Sequence, residues 1–211
     1  MSTAKVARMA GAILAGGRAS RFGGFPKGTL RRPDGCSVVG HLLGVLNAVG
    51  VTETVIVANP PHPYGELGCP VIPDAVPGLG PLGGVETALA HYQSSHEAVL
   101  FLPCDLPGLG VKEVEVLRRA YEVGGERLVV AETGPDRMEP LCSIVAVGLR
   151  EEIGRAVREG QRSVHRLWRS LAAHTVRFPD AAPFCNVNAA EDWAAWCKRQ
   201  AQADVRGTEQ R

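Results

Sequence analysis

The residues with the clearest chemical potential lie near the N-terminus, where glycines and basic side chains follow a short apolar run. Gly16 and Gly17 end that run, and Arg21 and Lys27 follow with further glycines between them. Glycine lets the backbone approach a ligand closely. Successive backbone amides that face one side form an anion site, to which nearby cations add full charge. The stretch 13–28 therefore predicts a loop that binds a polyphosphate.

The charge distribution supports this prediction because the positive charge is local. The net charge is only +1 over 211 residues, yet no acidic residue precedes Asp34. The basic residues before it are Lys5, Arg8, Arg18, Arg21, Lys27, Arg31 and Arg32. Such a focused field favours a phosphate ligand, whereas a nucleic-acid surface requires a strongly basic domain. We therefore predict no nucleic-acid partner.

The loop matches neither of the common phosphate-binding motifs. Lys27 lies between Pro26 and Gly28, which breaks the Walker A pattern, and no G-x-G-x-x-G opens a helix. An oxidoreductase that binds a dinucleotide is therefore disfavoured. An ordinary glycine-rich turn with surface arginines remains an alternative, but the combination of Arg21, Lys27 and glycines after a buried strand favours a ligand site.

A second candidate for chemistry, Asp105, follows the strongly apolar segment 98–102. Mg²⁺ takes one or two carboxylates and completes its octahedron with water and phosphate oxygens. Asp105 is therefore the predicted metal ligand. Its alternative role is to cap a helix that begins near Val111. The intervening residues weaken that alternative, because a cap directly precedes its helix.

The segments that must position these residues alternate between short apolar strands and amphipathic helices. We predict strands at 9–14, 54–58, 70–73, 98–102, 128–131, 141–147 and 175–178. We predict helices at 38–49, 86–92, 111–123, 149–158, 164–171 and 191–198. This alternation predicts an α/β three-layer sandwich with a mostly parallel central sheet. Since ligands bind beyond the carboxyl ends of such strands, four residues are expected along one edge, namely Gly16, Asn59, Asp74 and Asp105.

The composition is that of an ordinary globular domain, with 45% hydrophobic and 21% charged residues. We predict a single domain, 1–211, with a flexible polar tail at 200–211. No apolar run approaches the roughly 20 residues that span a bilayer, so we expect neither membrane association nor a signal peptide. The six cysteines form no C-x-x-C pair, which disfavours a zinc site and a disulfide framework and predicts a cytoplasmic protein.

Residues 14–28, L-A-G-G-R-A-S-R-F-G-G-F-P-K-G, resemble a known signature, L-A-G-G-x-x-x-R-[MF]-G-x-x-K. It belongs to nucleotidyltransferases that activate small metabolites with a nucleoside triphosphate. Within that superfamily the chain is most similar to the MobA-type molybdenum cofactor guanylyltransferases. The resemblance implies a Rossmann-like nucleotidyltransferase fold, with a nucleotide-binding half at 9–110 and an acceptor-binding half at 111–199. It also implies GTP as donor, since cytidylyl relatives more often have L-A-A-G.

The same resemblance implies roles for individual residues. Arg21, Lys27 and Asp105 would be catalytic, and Asp105, in a C-D-x-P context, would bind Mg²⁺. Gly-Pro-Leu-Gly-Gly at 80–84 is similar to a family segment that lies against the base and ribose, although composition alone would make it a surface turn. The implied nucleotide-binding residues are Leu14, Ala15, Gly16, Gly17, Lys27, Asn59, Asp74, Pro81, Leu82, Gly83 and Asp105.

Three residues are implied for the acceptor, which would be molybdopterin or Mo-molybdopterin. Arg162 stands in a Gly-Gln-Arg-Ser-Val stretch that is similar to the family's G-x-R-R-V, and Asn186 and Asn188 belong to a similar N-V-N stretch. Glu139 departs from the family, which has H-P or R-P here. Without the resemblance these residues would be loop polarity or, for Asn188, a helix cap.

The reaction implied is transfer of GMP from GTP to the terminal phosphate of molybdopterin, with release of pyrophosphate. A phosphate monoester has a second pKa of about 6, so no general base is required, and positioning and charge neutralisation dominate. The alternative enzymes are a cytidylyltransferase and a sugar-1-phosphate nucleotidyltransferase. The alternative of another class is a non-catalytic GTP-binding regulator. A molybdopterin-delivering enzyme is a candidate partner.

Overall fold

A seven-stranded sheet forms the centre of the computed structural model, which describes residues 8–16, 26–76 and 78–208. The strands are β1 Met9–Leu14, β2 Thr54–Val57, β3 Val71–Ile72, β4 Ala98–Pro103, β5 Leu128–Glu132, β6 Met138–Ala146 and β7 His174–Arg177. Their spatial order is β3-β2-β1-β4-β6-β5-β7. β6 runs antiparallel to β4 and β5, and the other paired strands are parallel. The prediction of a mostly parallel sheet is confirmed.

Helices cover both faces of this sheet. They are α1 Val38–Ala48, α2 Pro81–Tyr92, α3 Val111–Gly124, α4 Arg150–Arg158, α5 Val164–Ser170 and α6 Ala190–Thr208. Buried residues of α1 and α3 pack on one face, and those of α2, α4 and α5 pack on the other. The three-layer sandwich is therefore confirmed.

The central strand β4 explains why its sequence is an unbroken apolar run. Successive side chains of a strand point to opposite faces of the sheet. Leu100 and Leu102 join the core beneath α1 and α3, whereas Val99 and Phe101 join the core beneath α2, α4 and α5. All four side chains are fully buried. A strand covered on both faces has no solvent side on which polar residues could lie.

The start of α2 differs from the prediction, which placed it at Glu86. The helix begins at Pro81, preceded by Gly80 in a positive-φ conformation (φ 65°). Proline is well tolerated in the first turn, where its missing N–H would have no intrahelical acceptor. Inside the helix, a Cβ on Gly84 would lie 3.2 Å from Leu14 Cδ2 and 3.4 Å from Asp74 Oδ1. The glycine-rich composition here therefore reflects close packing of a helix, and the interpretation of a surface turn is wrong.

Two other boundaries differ from the prediction. β6 begins at Met138 rather than at Leu141, so Glu139 lies within a strand. The last helix continues to Thr208, through most of the segment that was predicted as a flexible tail. Polar residues such as Gln and Arg are good helix formers, so their density was no signal of a helix end. No helix within the described part of the chain has the length and apolar character to cross a bilayer.

Candidate active site

A cavity of about 850 Å³ opens at the carboxyl ends of the first strands. The four residues that were expected to meet at this edge all line it, namely Gly16, Asn59, Asp74 and Asp105. Each follows a different parallel strand of the sheet, β1, β2, β3 or β4. The sheet topology therefore gathers polar groups that lie far apart in sequence around a single cavity.

The first wall of the cavity is the exit of β1, where Leu14, Ala15 and Gly16 line it. The amide of Ala15 donates to the carbonyl of Val57 over 3.0 Å, so the sheet pairing continues one residue beyond the strand. This pairing holds the chain against β2 as far as Ala15, so that Gly16 lies at the cavity. The predicted ligands Gly17 and Arg21 lie outside the described residues.

Lys27 lines the cavity and begins a 3-10 turn, Lys27–Thr29. Its Nζ donates to Asn188 Oδ1 over 2.7 Å. The next residue must be glycine, because a Cβ on Gly28 would lie 2.4 Å from Val39 Cγ2 and 2.7 Å from the Tyr64 hydroxyl. The turn that carries the lysine is thus packed tightly between α1 and the segment after β2.

Asp105 lies two residues after the end of β4, and this half-buried residue lines the same cavity. Burial raises the pKa of Asp105, while the nearby Lys27 ammonium and a hydrogen bond from the Asn186 side chain lower that pKa. The backbone carbonyl of Asp105 accepts a hydrogen bond from the amide of Val187 over 2.9 Å. Lys27 and Asp105 therefore act on each other electrostatically across one cavity.

The helix-cap alternative for Asp105 is wrong. The N-cap of α3 is Gly110, whose amide donates to the Glu113 side chain over 3.1 Å.

The thiol of Cys104, next to Asp105, is unreactive, since burial raises its pKa to about 12. Cys104 is therefore protonated at neutral pH and is no thiolate nucleophile.

Asn59 and Asp74 form a reciprocal pair that ties the loop after β2 to the loop after β3. Asn59 Nδ2 donates to Asp74 Oδ2 over 2.8 Å, and the amide of Asp74 donates to Asn59 Oδ1 over 2.9 Å. Both ends of the Asn59 amide are thus engaged with a single residue. This geometry holds the Asp74 carboxylate at the cavity wall.

The predicted base-binding segment is only partly at the cavity. Pro81 lines it, together with Gly80 and Gly84. Leu82 is fully buried in the core beneath the sheet, and Gly83 packs against Leu79. Because the segment is helical, consecutive residues face different directions, so Pro81 and Gly84, about one turn apart, reach the cavity while Leu82 and Gly83 do not.

The three predicted acceptor residues are not brought together. Asn186 and Asn188 contact Asp105 and Lys27, as described above. Arg162 instead donates to the carbonyls of Val157 and Gln161, each over 2.8 Å, and is absent from the cavity lining. Arg162 thus binds carbonyls at and just beyond the C-terminal end of α4, and these hydrogen bonds do not involve Asn186 or Asn188. Its role in acceptor binding stays a prediction.

Sequence reasoning missed one wall of the cavity, the segment 61–64 after β2. The His62 ring stacks on the Tyr64 ring, with centroids 6.2 Å apart and planes inclined by 8°. Glu139, noted only as a departure from the family, lies near the site: burial raises its pKa, and the Asp105 carboxylate also contributes to that rise. The proline-rich composition around His62 gave no signal for a ligand site.

Two other basic residues of the N-terminal stretch, Arg31 and Arg32, bind parts of the chain outside the cavity lining. Arg32 donates to the Pro107 carbonyl over 2.9 Å and lies over the Trp196 ring, 5.6 Å from its centroid. Arg31 donates to the Gly35 carbonyl over 3.1 Å. Among the basic residues of this stretch that the structure describes, Lys27 alone lines the cavity.

The donor set at the cavity fits a hard divalent cation. Asp105 supplies a carboxylate oxygen whose burial in an unpaired state would be costly. Within the described ranges no group of three His, Cys, Asp or Glu side chains is placed to bind a metal. Mg²⁺ needs no such cage, because one carboxylate with substrate phosphates and water completes its octahedron. Asp105 would therefore hold the ion together with a bound nucleotide.

A mostly parallel sheet with a lysine and an aspartate at its carboxyl edge suits a protein that binds a phosphorylated ligand at that edge. The chain belongs to the MobA-like NTP transferase family, whose model matches residues 11–176, and it is accordingly a nucleotidyltransferase enzyme. A Rhodopirellula baltica protein named "Probable molybdenum cofactor guanylyltransferase" is 37% identical over 188 residues, which cover 86% of this chain and 88% of that protein.

Solved structures support the fold. The molybdopterin-guanine dinucleotide biosynthesis protein A of Archaeoglobus fulgidus superposes with a TM-score of 0.71 at 21% identity, over 92% of this chain and all of that one. A Mycobacterium tuberculosis protein in complex with manganese superposes with a TM-score of 0.65 at 17% identity, over 90% of this chain and 98% of that one. At these identities the likeness shows the architecture alone.

Proposed function

We propose that this protein transfers GMP from GTP to the terminal phosphate of molybdopterin, with or without bound molybdenum, and releases pyrophosphate. The observation that carries the proposal is the convergence of Lys27 and Asp105 on one cavity at the carboxyl edge of the sheet. The Rhodopirellula relative, which is 37% identical to this chain over 188 residues, supports guanylyl transfer to the molybdenum cofactor.

The chemistry requires positioning and charge rather than a protein nucleophile. An oxygen of the acceptor phosphate attacks the α-phosphorus of GTP, and the bond from that phosphorus to the α–β bridging oxygen breaks, so pyrophosphate leaves with the electron pair. The acceptor is already ionised near pH 7, because its second pKa is about 6.

The roles we assign follow from charge and place. Lys27 offsets the negative charge of the β and γ phosphates, together with the amides at the exit of β1 and, as the resemblance implies, Arg21. Asp105 would hold Mg²⁺, which would supply positive charge to neutralise the phosphates. Asn59 orients Asp74 toward the nucleoside, while the first turn of α2 forms the surface on which the base lies.

The reaction is tested with purified protein, Mg²⁺, GTP and molybdopterin by following pyrophosphate release. We expect release with GTP and none with CTP, and no release from the Asp105→Ala variant although it folds normally. Release with CTP alone would assign the protein to the cytidylyl branch. Binding of GTP without pyrophosphate release from any phosphate acceptor would instead establish a non-catalytic GTP-binding protein.

We also propose that the protein acts in the cytoplasm. All six cysteines are free, and thiols persist in a reducing compartment.

Transfer of molybdopterin from a delivering enzyme would be detected by comparing turnover with free acceptor and with acceptor bound to that enzyme.

A further inference from the structure

The segment 185–189, between β7 and α6, contacts both charged residues of the proposed nucleotide site. Asn188 Oδ1 accepts from Lys27 Nζ over 2.7 Å. Two residues earlier, the Asn186 side chain donates to the Asp105 carboxylate, and between them the Val187 amide donates to the Asp105 carbonyl over 2.9 Å. Three consecutive residues therefore hydrogen-bond this segment to the lysine and the aspartate that would act on the triphosphate.

This segment is itself held firmly at both ends. On one side Phe184 is fully buried and packs against Phe178, with ring centroids 4.8 Å apart. On the other side Asp192 accepts from the amides of Asn188 and Ala189, each over 2.9 Å. Val187 between them is 2% exposed. The position of Asn188 is thus set by the core and by the first turn of α6.

The capping geometry leaves the Asn188 side chain available for another purpose. Asp192, in the first turn of α6, accepts from the amides of Asn188 and Ala189, which precede the helix. The side-chain oxygen of Asn188 accepts from the Lys27 ammonium, so it faces a cation. A neutral amide can orient an ammonium group without cancelling its charge, whereas a carboxylate in its place would compete with phosphate for the lysine.

We propose that Asn188 is a positioning residue of the donor site, which holds the Lys27 ammonium at the cavity before the nucleotide binds. Lysine has a long flexible stem and loses much side-chain freedom when it is fixed. If Asn188 already fixes the lysine side chain in the free protein, less side-chain entropy is lost when the nucleotide binds, and binding is tighter. The inference rests on the proposed function only in that the ligand carries a triphosphate. It assigns Asn188 to the site of the nucleotide donor instead of the predicted site of the acceptor, molybdopterin.

The test measures binding of Mg²⁺-GTP to the full-length protein by isothermal titration calorimetry, with no acceptor present. We expect Asn188→Ala to raise Kd roughly three- to tenfold, as loss of a hydrogen bond to a charged but partly solvated group would. Asn188→Asp keeps the shape but pairs the lysine, and it should weaken binding further. Asn47→Ala, an exposed asparagine on α1, is the matched control and should leave Kd unchanged.

A double-mutant cycle separates positioning from a general structural effect. In a Lys27→Ala background, Asn188→Ala should change Kd by less than twofold, since the group it positions is gone. An equal loss in both backgrounds would overturn the proposal. So would an unchanged Kd for Asn188→Ala with a raised KM for molybdopterin, which would return Asn188 to the acceptor side.

The outcome is distinguishable from failure of the proposed function. Lys27 would contact phosphates rather than the base, so the same ratio of Kd values is expected with CTP and with pyrophosphate. If the protein binds CTP in place of GTP, the proposed function fails while the ratio still tests Asn188. If Asn188→Ala lowers the thermal midpoint, Asn188→Ser, which keeps a side-chain oxygen acceptor, should regain stability before Kd is compared.

Discussion

Replacing Gly28 by alanine perturbs the turn that presents Lys27 while adding only one methyl group. Gly28 is buried in the 3-10 turn Lys27–Thr29. The added Cβ would lie 2.4 Å from Val39 Cγ2 and 2.7 Å from the Tyr64 hydroxyl. Both neighbours are at most 2% exposed. Neither can swing into solvent, so the backbone of the turn must move.

The magnitude follows from this crowding. Overpacking of a rigid core by a methyl group costs about 1–3 kcal/mol. For a domain of this size, each kcal/mol lowers Tm by roughly 2–4 °C. The relaxation also acts on the site, because Lys27 directly precedes Gly28 and Tyr64 lines the cavity. We therefore expect a higher KM for GTP together with the loss of stability.

Urea unfolding followed by circular dichroism measures the first effect, and steady-state pyrophosphate release measures the second. Gly44→Ala is the matched control, since Gly44 lies exposed in α1 and a Cβ there meets nothing within 4 Å. That substitution should stabilise the protein by about 0.5–1 kcal/mol, because alanine is the better helix former. If Gly28→Ala proved as stable as the wild type, the packing argument for this turn would be refuted.

Three further predictions concern the charge and hydrogen bonds of the site and its surroundings. Asp105→Asn should reduce turnover at least about 100-fold by removing the charge that binds the cation. It should leave urea stability nearly unchanged, because burial already disfavours the Asp105 carboxylate and raises its pKa. Asn59→Ala should raise the KM for GTP severalfold, since Asp74 loses both of its hydrogen bonds to Asn59. His41 should make folding sensitive to acid: burial lowers its pKa below the ordinary 6.5, against the opposing effect of its hydrogen bond to the Leu109 carbonyl. As pH falls below 6.5, the unfolded chain takes up this proton first, so the free energy of unfolding decreases, and His41→Gln should flatten that decrease.

Each of these predictions has an outcome that contradicts it. Normal turnover by Asp105→Asn would remove the aspartate from the site. An unchanged KM in Asn59→Ala would mean that Asp74 keeps its place without help. For His41, urea midpoints measured from pH 7.5 to pH 5 with equal slopes in wild type and His41→Gln would show that another group controls the acid response.

Much of the sheet could be predicted because its signals are local. The run 98–102 is apolar at every position since both faces of β4 are buried, and Asp105 marks where the strand leaves the core. Once the strands are known to be parallel, their carboxyl ends must share an edge. Asn59 and Asp74 could therefore be placed at the same edge, although the hydrogen bonds that join them could not be predicted.

What could not be predicted depends on contacts between distant parts of the chain. The glycines of α2 read as a turn because their reason, the approach of Gly84 to Leu14 and Asp74, involves residues from other elements. The contact of Arg32 with Trp196 could not be predicted, because Trp196 lies far along the chain. Composition records that a residue is small or charged, but it does not record which neighbour requires that property.

The C-terminal segment shows how such distant contacts complete the site. The family model ends at residue 176, yet Asn186 and Asn188 contact Asp105 and Lys27 from beyond that limit. Arg32, five residues after Lys27, makes further contacts of this kind. It donates a hydrogen bond to the Pro107 carbonyl and lies over the ring of Trp196 in α6. The cavity lining extends only to Leu141 along the described part of the chain. The segment 185–189 and α6 therefore contribute no wall to the cavity, and their effect is to hold Lys27, Asp105 and the chain near them in position.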